Sequence, residues 1–139
     1  MNSNFNRDSV SRSRLFVEMA RQCDLAHRDE HEAFLDAAIV FARSALHRLQ
    51  SAYKRKPTWS AWWGSLASDP SVQFLRYHRN FALQGAPAQV GQVVHAGGGE
   101  SFAFDHYYFE HYTVPAVDTL TRHIDRIEEI VQDAETRFR

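Results

Sequence analysis

Arg79, followed at once by Asn80, is the pair of residues whose types and setting point most directly to chemistry in this chain. Both lie in the stretch SDPSVQFLRYHRNFALQGAP, residues 68–87, where Val72, Leu75, Ala82 and Leu83 recur at helical spacing. Arg79 falls in the middle of that apolar stripe. A guanidinium there requires a partner, a ligand or an interface, because an unpaired charge is costly to take out of water. Its planar fork of N–H donors matches phosphate or carboxylate oxygens. Arg76 and His78 stand beside it, and the run Lys54-Arg55-Lys56 suits either the rim of a phosphate-binding cleft or a solvated helix end.

Other constellations are weaker. Eight histidines invite a metal reading, and His27-Arg28-Asp29-Glu30-His31 matches the H-x-x-E-H pattern of inverted zinc peptidases. That pattern needs a distant acidic third ligand and a large surrounding domain, so a solvated charged joint is the preferred reading. His106, Glu110 and His111 also lie close in sequence, but a closed zinc site needs four ligands. No metal and no cofactor is therefore expected. Composition permits a Ser-His-Asp triad, yet nothing resembles a nucleophile elbow. Gly97-Gly98-Gly99 lacks both the Lys-Ser/Thr of a P-loop and the spacing of a dinucleotide fingerprint, so it reads as a hairpin tip. Cys23, the single cysteine, lies beside Met19 on a helix face and reads as a buried, inert thiol.

The elements that must position these residues are mostly helical. Residues 1–9 are polar and expected to be loose. Leu15, Met19, Cys23 and Ala26 mark a helix from Val10 to about His27. Glu32 to Lys54 carries two apolar stripes, one of Phe34, Ala37, Ala38, Phe41 and Ala45, the other built on Leu35, Ile39, Ala42, Leu46, Leu49 and Tyr53. An arc that wide predicts packing on more than one neighbour. Trp59, Trp62 and Trp63 follow in a short aromatic segment expected to pack inward, with nucleobase stacking as the alternative. In 68–87, Asp69 can cap the first turn and Pro70 sits where a missing N–H costs nothing, while Gly85 and Pro87 form a stop. Val90, Val93 and Val94, then the glycines, then Phe102 and Phe104 predict two short strands, followed by an aromatic connector over residues 105–112. The last helix opens near Val114-Pro115 and repeats Val117, Leu120, Ile124, Ile127, Val131, Ala134 and Phe138 at three and four. The expected fold is all-α: one domain over 1–139, an up-and-down four-helix bundle with a small β-hairpin or loop insertion before the last helix.

Bulk properties narrow the function classes. A hydrophobic content of 44% with 13% aromatics is enough for a core. A net charge of −1 argues against a protein that coats nucleic acid electrostatically, though not against a local basic site. No apolar run approaches the ~18 residues of a membrane span, and the first residues lack a signal-peptide core, so a cytoplasmic chain without membrane contact is expected.

At Arg79-Asn80 the sequence resembles the HEPN superfamily (higher eukaryotes and prokaryotes nucleotide-binding), whose small helical bundles often carry Arg, a polar residue, three variable positions and His near the end of the third main helix. The corresponding run here is Arg79-Asn80-Phe81-Ala82-Leu83-Gln84. Residues 33–46, AFLDAAIVFARSAL, resemble the long second helix of bacterial members, and the Trp-rich connector and Asp69-Pro70 are also similar. The resemblance covers roughly residues 15–135. It implies metal-independent RNA cleavage by relatives in toxin–antitoxin and phage-defence settings, with two motifs meeting across a homodimer interface. In that chemistry histidine would accept the 2′-hydroxyl proton, arginine would offset charge on phosphorus and asparagine would fix phosphate. This chain departs from the pattern at Gln84, whose amide does not exchange a proton near neutral pH. The resemblance thus implies a dimer with impaired catalysis that binds RNA or nucleotide through Arg79, Asn80 and Gln84, with Arg76, His78, Lys54, Arg55 and Lys56 as further RNA contacts. The alternatives are a non-catalytic module that binds a cognate protein partner, and an active metal-independent endoribonuclease using another base, with His95 as one candidate.

Overall fold

The computed structural model describes residues 2–23, 27–83, 91–93, 106–109 and 114–139. Helix α1, Asn2–Gln22, buries Val10, Ser13, Val17 and Ala20, a three-and-four spacing that forms one stripe. Its start at Asn2 corrects the expectation of loose residues 1–9. No proline or glycine interrupts residues 2–22, and propagation from an already packed helix is cheap compared with nucleation. Cys23, just past its end, is half-buried rather than buried.

Helix α2, Arg28–Tyr53, lies antiparallel to α1: the Ser13 hydroxyl donates to the Ala38 carbonyl at 2.7 Å, and His31 Nδ1 donates to the Ala20 carbonyl at 2.8 Å. Of the two apolar stripes on α2, the one built on Leu35, Ile39, Ala42, Leu46, Leu49 and Tyr53 enters the core, joined by Ala38 and Ala45. Phe34, Ala37 and Phe41 stay half-buried. After α2 the chain reverses through Thr58, whose φ of 67° places a β-branched residue in the left-handed region. Helix α3, Trp59–Ser65, and one 3₁₀ turn, Leu66–Ser68, follow. Trp59 is buried against Trp63 (5.1 Å), Trp62 (5.2 Å) and Phe138 (5.1 Å), whereas Trp62 and Trp63 remain half-buried.

Helix α4, Pro70–Leu83, and helix α5, Ala116–Phe138, complete the bundle. The α5 repeat predicted from sequence is its core face: Leu120, Ile124, Ile127, Val131, Ala134 and Phe138 are all buried. Arg14 pairs with Asp125 (2.8 Å) and Glu128 (2.9 Å), and Arg21 with Asp118 (3.2 Å), so α1 and α5 also run antiparallel. Between α4 and α5 a short antiparallel pair, β1 (Gly91–Val93) with β2 (His106–Tyr108), sets Gly91 opposite Tyr108 and Val93 opposite His106. The second strand therefore falls in the stretch expected to be a connector, where Tyr107 and Tyr108 supply the β-favouring side chains. The architecture is an all-α, up-and-down four-helix bundle with a small hairpin before the last helix. Among the described residues no helix is long and apolar enough to cross a membrane.

Candidate functional site

Helix α4 is fastened at its start. The Asp69 carboxylate accepts from the Ser71 and Val72 backbone N–H groups at 2.9 and 3.3 Å, which satisfies two donors that a helix N-terminus leaves open. The other Asp69 oxygen accepts from Arg126 Nε on α5 at 2.8 Å. Burial pushes this carboxyl up, but Arg126 and the two N–H groups outweigh it and hold the group below its ordinary value. Arg126 also pairs with Glu129 at 3.2 Å, so a charge network pins the capped end of α4 to α5.

The inner face of α4 is locked by rings. The Ser71 hydroxyl and His123 Nδ1 on α5 are hydrogen-bonded at 2.8 Å, and Phe74 stacks on His123 at 4.1 Å with planes 18° apart. His78, one turn on, meets Phe74 at 4.4 Å and Phe109, just beyond β2, at 4.9 Å. A serine and an imidazole within hydrogen-bond reach are two-thirds of a nucleophilic triad. Both are only 7% exposed and the pair lies under Phe74, so what it contributes is an inter-helix tie.

The expected site residues occupy different surroundings. On α4, position 79 stands four residues after fully buried Leu75 and seven after buried Val72. Position 80 follows exposed Arg76 by four and exposed Gln73 by seven. The side chains of Arg79 and Asn80, and Gln84 entirely, lie outside the described residues, as do His95, Gly97-Gly98-Gly99, Glu110 and His111. His78, expected among RNA contacts, is 6% exposed and enclosed by rings.

Lys54, Arg55 and Lys56 are exposed at the end of α2. Tyr53 there meets Phe138 at 6.1 Å, while Phe74 on α4 meets His123, and α4 then runs on away from Phe138. Counting about 1.5 Å per residue from Phe138 back to His123, and from Phe74 on to position 79, separates the basic run from Arg79 by roughly 30 Å along one chain. Arg76 is exposed on α4.

The histidines of the H-x-x-E-H pattern part company. His27 is exposed, whereas His31 is buried and bonded to Ala20, and burial, only partly offset by that bond and by Glu32, pushes its pKa below the ordinary value. Among the described residues no group of three or more His, Cys, Asp and Glu is arranged to hold a metal ion. A surface hollow of about 160 Å³ between α1 and α5 is lined by Val10, Ser11, Glu128, Val131, Gln132 and Glu135, and both carboxylates are ion-paired, to Arg14 and Arg139.

Sequence reading missed Ser71 and His123. His123 follows Leu120 by three and precedes Ile124, which is the signal that a polar ring stands on the core face. The fold is thus an all-α bundle in which α4 is capped by Asp69 and tied to α5 through Arg126 and His123. No family model matches the chain, and searches of curated proteins and of solved structures return no match.

Proposed function

We propose that this chain is a HEPN-like, catalytically impaired ribonuclease-like protein that binds RNA or nucleotide as a homodimer, in a toxin–antitoxin or phage-defence setting. The observation that carries the reading is the placement of Arg79 on α4, a capped helix of a four-helix bundle, at the register of buried Val72 and Leu75. An arginine at such a register finds its complement in a bound phosphate or an interface. Asn80, four residues after exposed Arg76, would add a neutral contact to the same anion. Gln84 replaces the proton-exchanging histidine of the resembled motif, which removes acid–base help worth about 10²–10⁴ in rate.

RNA binding of the wild type and of Arg79→Ala, measured at several salt concentrations, tests the reading. Loss of one phosphate contact predicts weaker binding across sequences and a salt slope smaller by about one. Equal affinity of the two proteins would sink it. In EDTA, Gln84→His is expected to cleave RNA that the wild type leaves intact; cleavage by the wild type would favour an active endoribonuclease with another base.

A second reading, a non-catalytic partner or regulator in such a system, is favoured by Gln84, the net charge of −1 and the aromatic patch in which Trp62 and Trp63 stay half-buried. Stoichiometric recovery of a second protein from the native host would support it. Recovery of a lone homodimer would count against it.

A further inference from the structure

We propose that the hollow between α1 and α5 binds a small primary alkylammonium, with the Glu135 carboxylate as its anchor. Glu135 is a charged residue that is only 6% exposed. Its Oε2 accepts from Arg139 at 3.4 Å, and that guanidinium is itself 61% exposed. Its Oε1 is buried and meets no hydrogen-bond donor among the described residues. A buried carboxylate oxygen without a donor costs free energy, and native folds ordinarily give such an atom a partner. Glu135 lines this hollow together with Gln132, whereas Arg139 lines a second, wider one on the outer side of the same two residues. The Arg139 contact therefore belongs to the outer hollow, and an occupant of the inner one is placed to supply the second donor.

The lining selects the chemistry of that occupant. Glu128 already gives its Oε2 to Arg14 at 2.9 Å, so that carboxylate has its cation. Glu135 has only the long contact to an exposed arginine. An ammonium carries three donors and no acceptor. Three acceptors line the hollow for it: Glu135 Oε1, the Ser11 hydroxyl and the Gln132 side-chain carbonyl. A charged donor binds a carboxylate more strongly than a neutral one, which favours an amine over an alcohol. A metal ion fits less well, because no group of three or more His, Cys, Asp and Glu among the described residues is arranged to hold one. Val10 and Val131, both buried, line the same hollow with apolar surface for methylene groups.

Size and access agree with this. A volume of about 160 Å³ takes about five non-hydrogen atoms at ~30 Å³ each, the size of a four-carbon amine. Ser11 and Gln132 are exposed, and exposed side chains change rotamer within picoseconds to nanoseconds, so the rim can open onto the buried oxygen. Every lining residue belongs to α1 or α5 and none to α4, so the site does not depend on the RNA-binding reading.

Isothermal titration calorimetry of the full chain with n-butylammonium chloride, at pH 7 and constant ionic strength, tests the site. A Kd of about 0.1–1 mM is expected for a ligand this small. Butan-1-ol, which lacks the charge, and tetramethylammonium, which lacks the N–H donors, should each bind at least about tenfold more weakly. Glu135→Gln keeps the shape of the side chain and removes its charge, and it too should weaken binding at least about tenfold. Ser11→Leu fills the rim from an exposed helical position, so its circular dichroism should match the wild type while its affinity falls at least about tenfold. That variant keeps the test decisive if Glu135→Gln does not fold. No binding of n-butylammonium up to about 10 mM would overturn the proposal and leave Oε1 to water alone. Butan-1-ol binding as tightly as the amine, or Ser11→Leu binding the amine as the wild type does, would also overturn it. Loss of RNA binding in Arg79→Ala reads a different helix, so the two proposals fail separately.

Discussion

Replacing Asp69 by alanine probes how α4 is held. The carboxylate closes two backbone donors at the helix start and reaches Arg126 from a site that is 11% exposed, while Arg126 itself is 42% exposed. Loss of a cap of this kind costs about 1 kcal/mol, with a range of roughly 0.5–2. The ion pair, screened on the arginine side and partly replaced by Glu129, adds about 0.5–1 kcal/mol. Asp69→Ala is therefore expected to lose about 1.5–2.5 kcal/mol at pH 7, and Asp69→Asn, which keeps a capping oxygen, only about 0.5–1. Urea unfolding followed by circular dichroism, with m unchanged, reads both values; for a chain of 139 residues the alanine variant should melt roughly 5–10 °C lower.

Acid supplies an internal check on the same carboxylate. Its pKa is lowered in the fold, so the unfolded chain takes up protons first as pH falls. The stability it contributes is complete above the ordinary value of 3.8 and is lost as pH drops through the lower, folded value. The gap between wild type and Asp69→Asn should therefore narrow near pH 3. An alanine variant within about 0.3 kcal/mol of wild type at pH 7, or a gap that persists in acid, would refute the account.

Two further outcomes follow from local features. His31 has a folded pKa below its ordinary 6.5, so the unfolded state binds more protons as pH falls past that value, and stability should drop at up to about 1.4 kcal/mol per pH unit. His31→Gln should flatten the melting temperature between about pH 6.5 and 5 relative to wild type, and parallel curves would contradict this. Thr58→Gly should raise stability by roughly 0.5–1 kcal/mol in urea, because a β-branched residue at φ 67° is strained, and a loss of stability would contradict that.

Much of the fold was legible because helix signals are local. The three-and-four repeat of α5 named its core face residue by residue, and Asp69-Pro70 marked the start of α4. The α1 boundary was not legible: Asn and Ser at residues 2–9 favour caps and turns, and helix continuation there depends on packing farther along. The strand at His106–Tyr108 was not legible because an aromatic run has strand propensity only once it has a partner, here Gly91–Val93, while Phe102 and Phe104 lie outside the described residues.

For the site, the sequence by itself determined the identity and register of Arg79 and Asn80 on an amphipathic helix, since periodicity is a property of adjacent turns. It could not determine which of the two stripes of α2 would face the core, because that depends on α1 and α5 competing for the same surface. Nor could it join Ser71 to His123, 52 residues apart, or Arg14 to Glu128, 114 apart. The separation of Lys54–Lys56 from the far end of α4 likewise follows from antiparallel packing, which turns residues close in sequence into opposite ends of one bundle. Local spacing determined which side chains α4 carries; only the packing of α4 against α5 decided which of them are enclosed, because burial is set by the neighbour a face meets.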